Sequence, residues 1–280
     1  MPKSKTTRLA GGTKDYEELI DARSPLVVAR AFNESEKSCW LNIRTPSPQS
    51  ISCCAICVRR QPVRWKPILL LGPTGSDKSR LVRRIRDLLV LSVYRIDGSG
   101  STEAVNFAGT SKAWNNTVPC APARAIYQAR IGNPIVMVDE ADKAGTSQHN
   151  GRLANAILPF LERETASRYR DASPDSELDL SWVNHIATAN AAEDLPGALK
   201  DRYRAIKVPY PRLVDLPVLA ANVVRELAAE TGEVAFAQAL VTDELNVIAR
   251  AWTRAGFSMR KLQAIVAATL EARDQMAVRH

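Results

Sequence analysis

Short apolar runs alternate with stretches of helical periodicity through residues 66–210. Runs of this length, bounded by turn residues, are typical of strands buried in a parallel sheet. They predict strands at 67–71, 91–96, 134–138, 183–189 and 204–208. Because strands and helices alternate, the pattern predicts an α/β fold, a parallel sheet with helices on both faces.

The first predicted helix has one apolar face, formed by Leu81, Val82, Ile85, Leu88 and Leu89. Its arginines are expected largely in solvent, at Arg80, Arg83, Arg84 and Arg86. Residues 173–179 predict a polar loop, and helices follow at 213–230, 242–254 and 258–274. We therefore expect a basic, weakly structured extension at 1–65, an α/β domain at 66–210 and a small helical lid domain at 211–280.

A glycine-rich loop links the first strand to the first helix. It contains Gly72, Pro73, Thr74, Gly75, Ser76, Asp77, Lys78 and Ser79. A loop in this setting directs backbone N–H groups at the β- and γ-phosphates of a nucleotide. Lys78 adds a positive charge, and the Ser79 hydroxyl is placed to ligate Mg²⁺. The loop predicts a phosphate site that takes a nucleotide with Mg²⁺.

Asp77 departs from the phosphate-loop pattern, which has glycine at this position. Glycine lets the backbone approach the phosphates without a Cβ and adopts positive φ without strain. Asp77 adds a side chain and a negative charge beside an anionic ligand, although aspartate tolerates left-handed backbone better than most residues. The loop is expected to form, with its nucleotide affinity reduced.

Two acidic residues follow the predicted strand at 134–138. Ligands of open α/β sheets bind at the carboxyl ends of the strands. There Asp139 can hold Mg²⁺ through water, and Glu140 can polarise the water that attacks the γ-phosphate. Such residues alone would indicate a solvated strand end, but with the upstream loop they predict an ATP-hydrolysing site.

Two further residues fall where an ATPase needs them. Asn190 ends the predicted strand at 183–189, and its amide could touch the γ-phosphate or the attacking water. Arg202 could project into the site of a neighbouring subunit and stabilise transition-state charge there. Taken singly, Asn190 is a turn residue and Arg202 a surface cation.

This set resembles the AAA+ ATPases, and more narrowly the ATPase module of Lon-type proteases, from about Lys66 to Ala272. The segments that carry the resemblance are 133–134, 139–143, 188–190 and 199–202, with 107–114 and 255–262 as further matches. The resemblance implies a homo-oligomeric ring, a hexamer in that family, in which Trp114 grips a protein substrate and Arg260 contacts the nucleotide. The chain stops at His280, so we expect the motor of that family without its protease domain.

Three functions follow as alternatives. The first is an active ATP-driven remodeller of proteins. It is favoured by the presence of Asp139, Glu140, Asn190, Arg202 and Arg260. The second is a degenerate nucleotide-binding module with weak or no hydrolysis, because of Asp77. The third, a DNA motor, is disfavoured because residues 68–280 carry 26 Lys and Arg against 24 Asp and Glu. The positive excess of residues 1–67 indicates a flexible basic extension rather than a nucleic-acid site.

The remaining features favour a cytoplasmic protein. No apolar stretch approaches the 18 or so residues of a membrane span, and no secretory signal follows Met1. The 5 cysteines are an odd number, which argues against a disulfide framework. Cys53, Cys54 and Cys57 include one C-x-x-C spacing but no second ligand pair, so buried small residues fit better than zinc.

Overall fold

The structure is a computed structural model that describes residues 24–28, 61–99, 103–111, 117–143, 153–231 and 239–277. These residues form two compact units. The first contains those described residues that lie within 24–71 and 79–207, and the second contains those within 72–78 and 208–277. The domain boundaries expected at 65/66 and 210/211 stay predictions.

The first unit is built on a parallel sheet. The strands in chain order are β1 (Ile68–Leu71), β2 (Val93–Asp97), β3 (Ile135–Asp139), β4 (Tyr169–Asp171), β5 (Ser176–Leu178), β6 (Asn184–Ala189) and β7 (Arg204–Lys207). The sheet runs β2-β3-β6-β1-β7, and every neighbouring pair in it is parallel. The five predicted strands are therefore confirmed to within about two residues, and with them the α/β class.

In the described part of the chain, six α-helices lie between the strands of this unit. They are α1 (Lys78–Leu89), α2 (Glu103–Ala108), α3 (Ala121–Ala129), α4 (Leu153–Leu161), α5 (Arg163–Ala166) and α6 (Gly197–Arg202). Phe107 and Phe160 are buried in an edge-to-face contact, with ring centroids 5.4 Å apart. In α1 the apolar residues Val82, Ile85 and Leu89 are buried as predicted. Arg80 is buried too, at 8% exposure, so its predicted solvent position is wrong: α1 is covered on more than its apolar face.

Burial of β3 and β6 on both faces explains their sequences. All five residues of β3 and all six of β6 are buried. In β6 this includes polar residues, which need internal partners. The Asn184 amide accepts a hydrogen bond from Trp65 N–H (3.1 Å) and donates to the Asn133 carbonyl (3.1 Å). His185 finds no hydrogen-bond partner for Nε2 among the described residues, and burial lowers its pKa to about 4.

The polar loop predicted at 173–179 is wrong in part. The strands β4 and β5 pair antiparallel, so residues 176–178 are a strand. Asp171 fixes this hairpin to the start of α3: its carboxylate accepts hydrogen bonds from the backbone N–H of Cys120 (2.8 Å) and of Ser173 (2.9 Å). Cys120 is a free cysteine, and burial is the main cause that raises the pKa of its thiol.

The second unit contains the C-terminal helices. Its elements are a 3₁₀ turn at Leu213–Asp215, α7 (Leu216–Thr231), α8 (Thr242–Arg254) and α9 (Met259–Ala277). Trp252 is fully buried among apolar residues of the three helices, and its indole N–H donates to the Ser258 carbonyl (3.0 Å). The helices predicted at 213–230, 242–254 and 258–274 are confirmed.

The described N-terminal residues are tied to the sheet. The Asn133 side chain accepts a hydrogen bond from Val27 N–H (2.8 Å) and donates to the Val27 (2.9 Å) and Val63 (3.0 Å) carbonyls. Most of the extension expected at 1–65, including Cys53, Cys54 and Cys57, lies outside the described residues.

None of the helices in the described ranges has the length and apolar character needed to cross a bilayer.

Candidate nucleotide site

The loop at 72–78 has the backbone of a phosphate loop. Gly75 has a φ of +86° and Asp77 a φ of +71°, so Asp77 adopts the left-handed conformation that the motif assigns to glycine. A Cβ on Gly72 would lie 2.0 Å from the Val208 carbonyl oxygen, which only glycine avoids. The loop therefore makes a sharp turn at Gly75 and Asp77.

The side chains of the loop turn toward its own backbone. The Lys78 ammonium donates to the carbonyls of Gly72 (2.5 Å) and Pro73 (3.2 Å). The Ser76 hydroxyl is buried and has no hydrogen-bond partner among the described residues. The Thr74 carbonyl accepts from the Tyr210 hydroxyl (3.0 Å). The loop thus holds a buried cation and a buried hydroxyl that has no partner in the described part of the chain, and both groups can donate to an anionic ligand.

Asp139 ends β3 with its carboxylate almost buried, the side chain 7% exposed. Its Oδ1 accepts a hydrogen bond from the Thr188 hydroxyl (2.5 Å). Its Oδ2 lies 3.4 Å from the Ser79 hydroxyl and 2.5 Å from Nη2 of Arg95. The structure therefore brings the predicted pair, Ser79 and Asp139, to one place.

Glu140 follows at a positive φ of 56°, which is unusual for a residue with a side chain. Its backbone N–H donates to the Thr188 hydroxyl (2.9 Å), which ties this turn to the end of β6. Its Oε2 accepts from the Lys143 ammonium (2.9 Å), and this hydrogen bond is the main cause that raises the pKa of Lys143. The Glu140 side chain stays 35% exposed and so is open to water.

Asn190 lies just beyond β6, and its backbone N–H donates to Oδ2 of Asp142 (2.9 Å). This bond joins the segment after β6 to the turn that follows Glu140. Arg202 ends α6, and its Nε lies 2.7 Å from Oε1 of Glu162 in the same chain. The Arg202 N–H is not directed at that oxygen, so the contact is an ion pair without a hydrogen bond.

Arg260 lies in the first turn of α9 and is exposed. The preceding residue connects this turn to the loop, because Met259 N–H donates to the Gly75 carbonyl (3.1 Å). The start of α9 and the phosphate loop are therefore in direct contact within the second unit. Trp114, predicted to grip a substrate, lies outside the described residues.

The residues fit Mg²⁺. Magnesium binds hard oxygen ligands and commonly uses one or two protein groups together with phosphate oxygens and water. The Ser79 hydroxyl and the Asp139 carboxylate, 3.4 Å apart, supply this chemistry. Within the loop, the buried Ser76 hydroxyl and the Lys78 ammonium are donors of the kind that bind phosphate oxygens.

Sequence reasoning missed two residues of the site, Thr188 and Arg95. The sequence places Thr188 in the 188–190 segment of the family resemblance without assigning it a role, yet its hydroxyl bridges Asp139 and Glu140. Arg95 lies in the strand predicted at 91–96, and the sequence assigns it no role. In the sequence, one feature indicates a role for these two positions: each is a polar or charged residue inside an apolar run.

Comparison with known proteins gives a consistent result. Residues 68–210 match the family described as "ATPase family associated with various cellular activities (AAA)". The chain is 28% identical over 201 residues to a Lon protease of Malacoplasma penetrans, covering 71% of this chain and 26% of that protein. It is 28% identical over 194 residues to a mitochondrial Lon protease homolog of Caenorhabditis briggsae, covering 69% and 20%.

A third relative is Lon protease 2 of Hydrogenovibrio crunogenus, 33% identical over 141 residues, which are 50% of this chain and 16% of that protein. The chain thus spans about a quarter or less of the length of these relatives. The resemblance to Lon-type ATPase modules is confirmed.

Proposed function

Because the chain belongs to the AAA family of ATPases, we propose that it binds ATP with Mg²⁺ at the loop of residues 72–79 and hydrolyses it. The observation that carries this proposal is the buried Asp139 carboxylate beside the Ser79 hydroxyl, 3.4 Å away. When bound there, Mg²⁺ would offset charge on the β- and γ-phosphates. The Lys78 ammonium, held near the loop carbonyls, would offset the charge that remains.

We assign the chemical roles as follows. Glu140 accepts the proton of the attacking water, since its carboxylate is partly exposed and its backbone is fixed through Thr188. Asn190 orients that water or the γ-phosphate, and its segment is held to the same turn through Asp142. Arg260 contacts the nucleotide from the start of α9, which is bonded to the loop at Gly75.

The larger activity we propose is remodelling of protein substrates by a ring of identical subunits, six by family likeness. The Lon relatives support this proposal, and Trp114 would be the substrate-gripping residue. Arg202 would act on the nucleotide of the neighbouring subunit, which requires it to leave Glu162, its ion-pair partner in the isolated chain.

A second candidate function is a degenerate module that binds nucleotide weakly and does not hydrolyse it. Asp77 favours this alternative, because it places a carboxylate in the phosphate loop. Asp77 has a φ of +71°, the backbone conformation that glycine would adopt there, so its charge and its Cβ are what weigh against binding.

The first test concerns the loop cation. Lys78→Ala should weaken ATP binding about 30-fold, since a charge-assisted hydrogen bond contributes roughly 1.5–3 kcal/mol. Binding is measured with a fluorescent ATP analogue, in the wild-type chain and in Asp77→Gly. Lys66→Ala, which removes an exposed lysine at the other end of β1, is the control. Equal affinity of Lys78→Ala and its parent would place the phosphates elsewhere.

The second test concerns assembly. Arg202→Ala should lower turnover about tenfold with ATP affinity nearly unchanged, because Arg202 would act across a subunit boundary on transition-state charge. Turnover of the wild-type chain should also rise steeply with protein concentration. The matched control is Glu162→Ala, which breaks the same ion pair but keeps the arginine. A verified monomer with a concentration-independent rate contradicts this assignment.

A further inference from the structure

Arg95 contacts the carboxylate that we assign to the metal. It lies on β2, which pairs with β3 so that Arg95 is opposite Met137 and Asp97 is opposite Asp139. From this register its Nη2 reaches Oδ2 of Asp139 at 2.5 Å. The two side chains differ in exposure: that of Arg95 is 63% exposed and that of Asp139 is 7% exposed.

A carboxylate this deeply buried needs a partner for each of its oxygens. Thr188 satisfies Oδ1 of Asp139, whereas the Ser79 hydroxyl is at a long distance from Oδ2. The guanidinium of Arg95 is therefore the strong partner of Oδ2. Arg95 also blocks metal binding, because a metal held by Ser79 and Asp139 would use the same carboxylate oxygen.

We propose that Arg95 is a stand-in cation for Mg²⁺: it neutralises Asp139 in the nucleotide-free chain and is displaced when the metal arrives. This inference rests on the proposed function, in which Asp139 is a metal ligand. Arg95 holds the carboxylate in place near Ser79, so the metal meets a preformed ligand. Arg95 also competes with Mg²⁺ for the Asp139 carboxylate. This competition sets the Mg²⁺ concentration at which the nucleotide site fills.

Displacement of Arg95 is feasible because most of its side chain is already in water. The freed guanidinium is resolvated, so its release costs little on the arginine side, whereas the buried Asp139 needs a replacement cation. A guanidinium stays charged after release, and Asp97 at the end of the same strand interacts with it electrostatically. The competing contact is thus strong enough to order Asp139 and weak enough to be replaced by a divalent ion.

The test measures binding as a function of metal. Protein freed of metal with EDTA is titrated with Mg²⁺ in the presence of fluorescent ADP, in the wild-type and Asp77→Gly backgrounds. Arg95→Gln should lower the half-saturating Mg²⁺ concentration about 3- to 10-fold. Arg95→Lys, which keeps the charge without the planar fork, should fall between Arg95→Gln and the parent. Arg170→Gln breaks an exposed ion pair with Asp175 and should change nothing.

A second readout needs no nucleotide. In EDTA, Arg95→Gln should unfold at a lower temperature than Arg170→Gln, because Asp139 is left without its cation. Unchanged Mg²⁺ dependence in Arg95→Gln overturns the inference while the proposed function stands. A higher half-saturating Mg²⁺ concentration in Arg95→Gln also overturns the inference, and it would indicate that Arg95 contacts the nucleotide. If neither background binds nucleotide at any Mg²⁺ concentration, the proposed function falls and the inference with it.

Discussion

Glu140→Gln is expected to bind ATP as tightly as its parent and to hydrolyse it at least 100-fold more slowly. General-base catalysis contributes roughly 10²–10⁴ in rate, and an amide at neutral pH cannot accept the proton of water. Binding should survive because the contacts of Glu140 are to Thr188, through its backbone, and to Lys143. The glutamine carbonyl can still accept the Lys143 hydrogen bond, so the turn should keep its shape.

The measurement is a single-turnover hydrolysis assay together with binding of a fluorescent ATP analogue, in the wild-type chain and in Asp77→Gly. Glu177→Gln, which alters an exposed carboxylate on β5, is the control for a general loss of charge. Hydrolysis by Glu140→Gln at the parent rate would remove Glu140 from the chemistry. Loss of ATP binding in Glu140→Gln would instead assign it to the nucleotide contacts.

The sheet was predictable because its central strands are buried on both faces. Such strands leave continuous apolar runs, as in Ile135–Asp139, where the first charged residue marks the end of the strand. The hairpin was not predictable in the same way. Each strand of it has three residues, and Ser176 and Glu177 resemble any polar loop. Its position depends on Asp171 binding the start of α3, a contact between residues 51 apart in sequence.

The candidate site was predictable where it depends on position along the chain and not where it depends on strand register. The carboxyl end of a parallel strand identifies Asp139, and the loop after β1 identifies Ser79. The contacts of Thr188 and Arg95 require the pairing of β3 with β6 and with β2, which no local pattern encodes. The burial of Arg80 has the same origin, since helix periodicity shows one covered face and tertiary packing adds another.

Asp77→Gly should tighten ATP binding about 100-fold and raise turnover most at low ATP. A carboxylate about 5 Å from a phosphate costs roughly 3 kcal/mol per charge pair at an effective dielectric constant near 20. Each factor of ten in affinity corresponds to about 1.4 kcal/mol. The loop itself should change little, because Asp77 already has the positive φ that glycine adopts freely.

Asp77→Asn separates the two effects of the aspartate, since asparagine keeps the Cβ and tolerates positive φ but removes the charge. If repulsion dominates, Asp77→Asn should recover most of the gain in affinity, measured as the dissociation constant of a fluorescent ATP analogue. If the Cβ dominates, only Asp77→Gly should recover it. No change in either variant means that the loop accommodates aspartate, and the degenerate alternative then loses its support. Nucleotide binding that appears only in the variants would make this chain a disabled member of its family, with the lesion confined to Asp77.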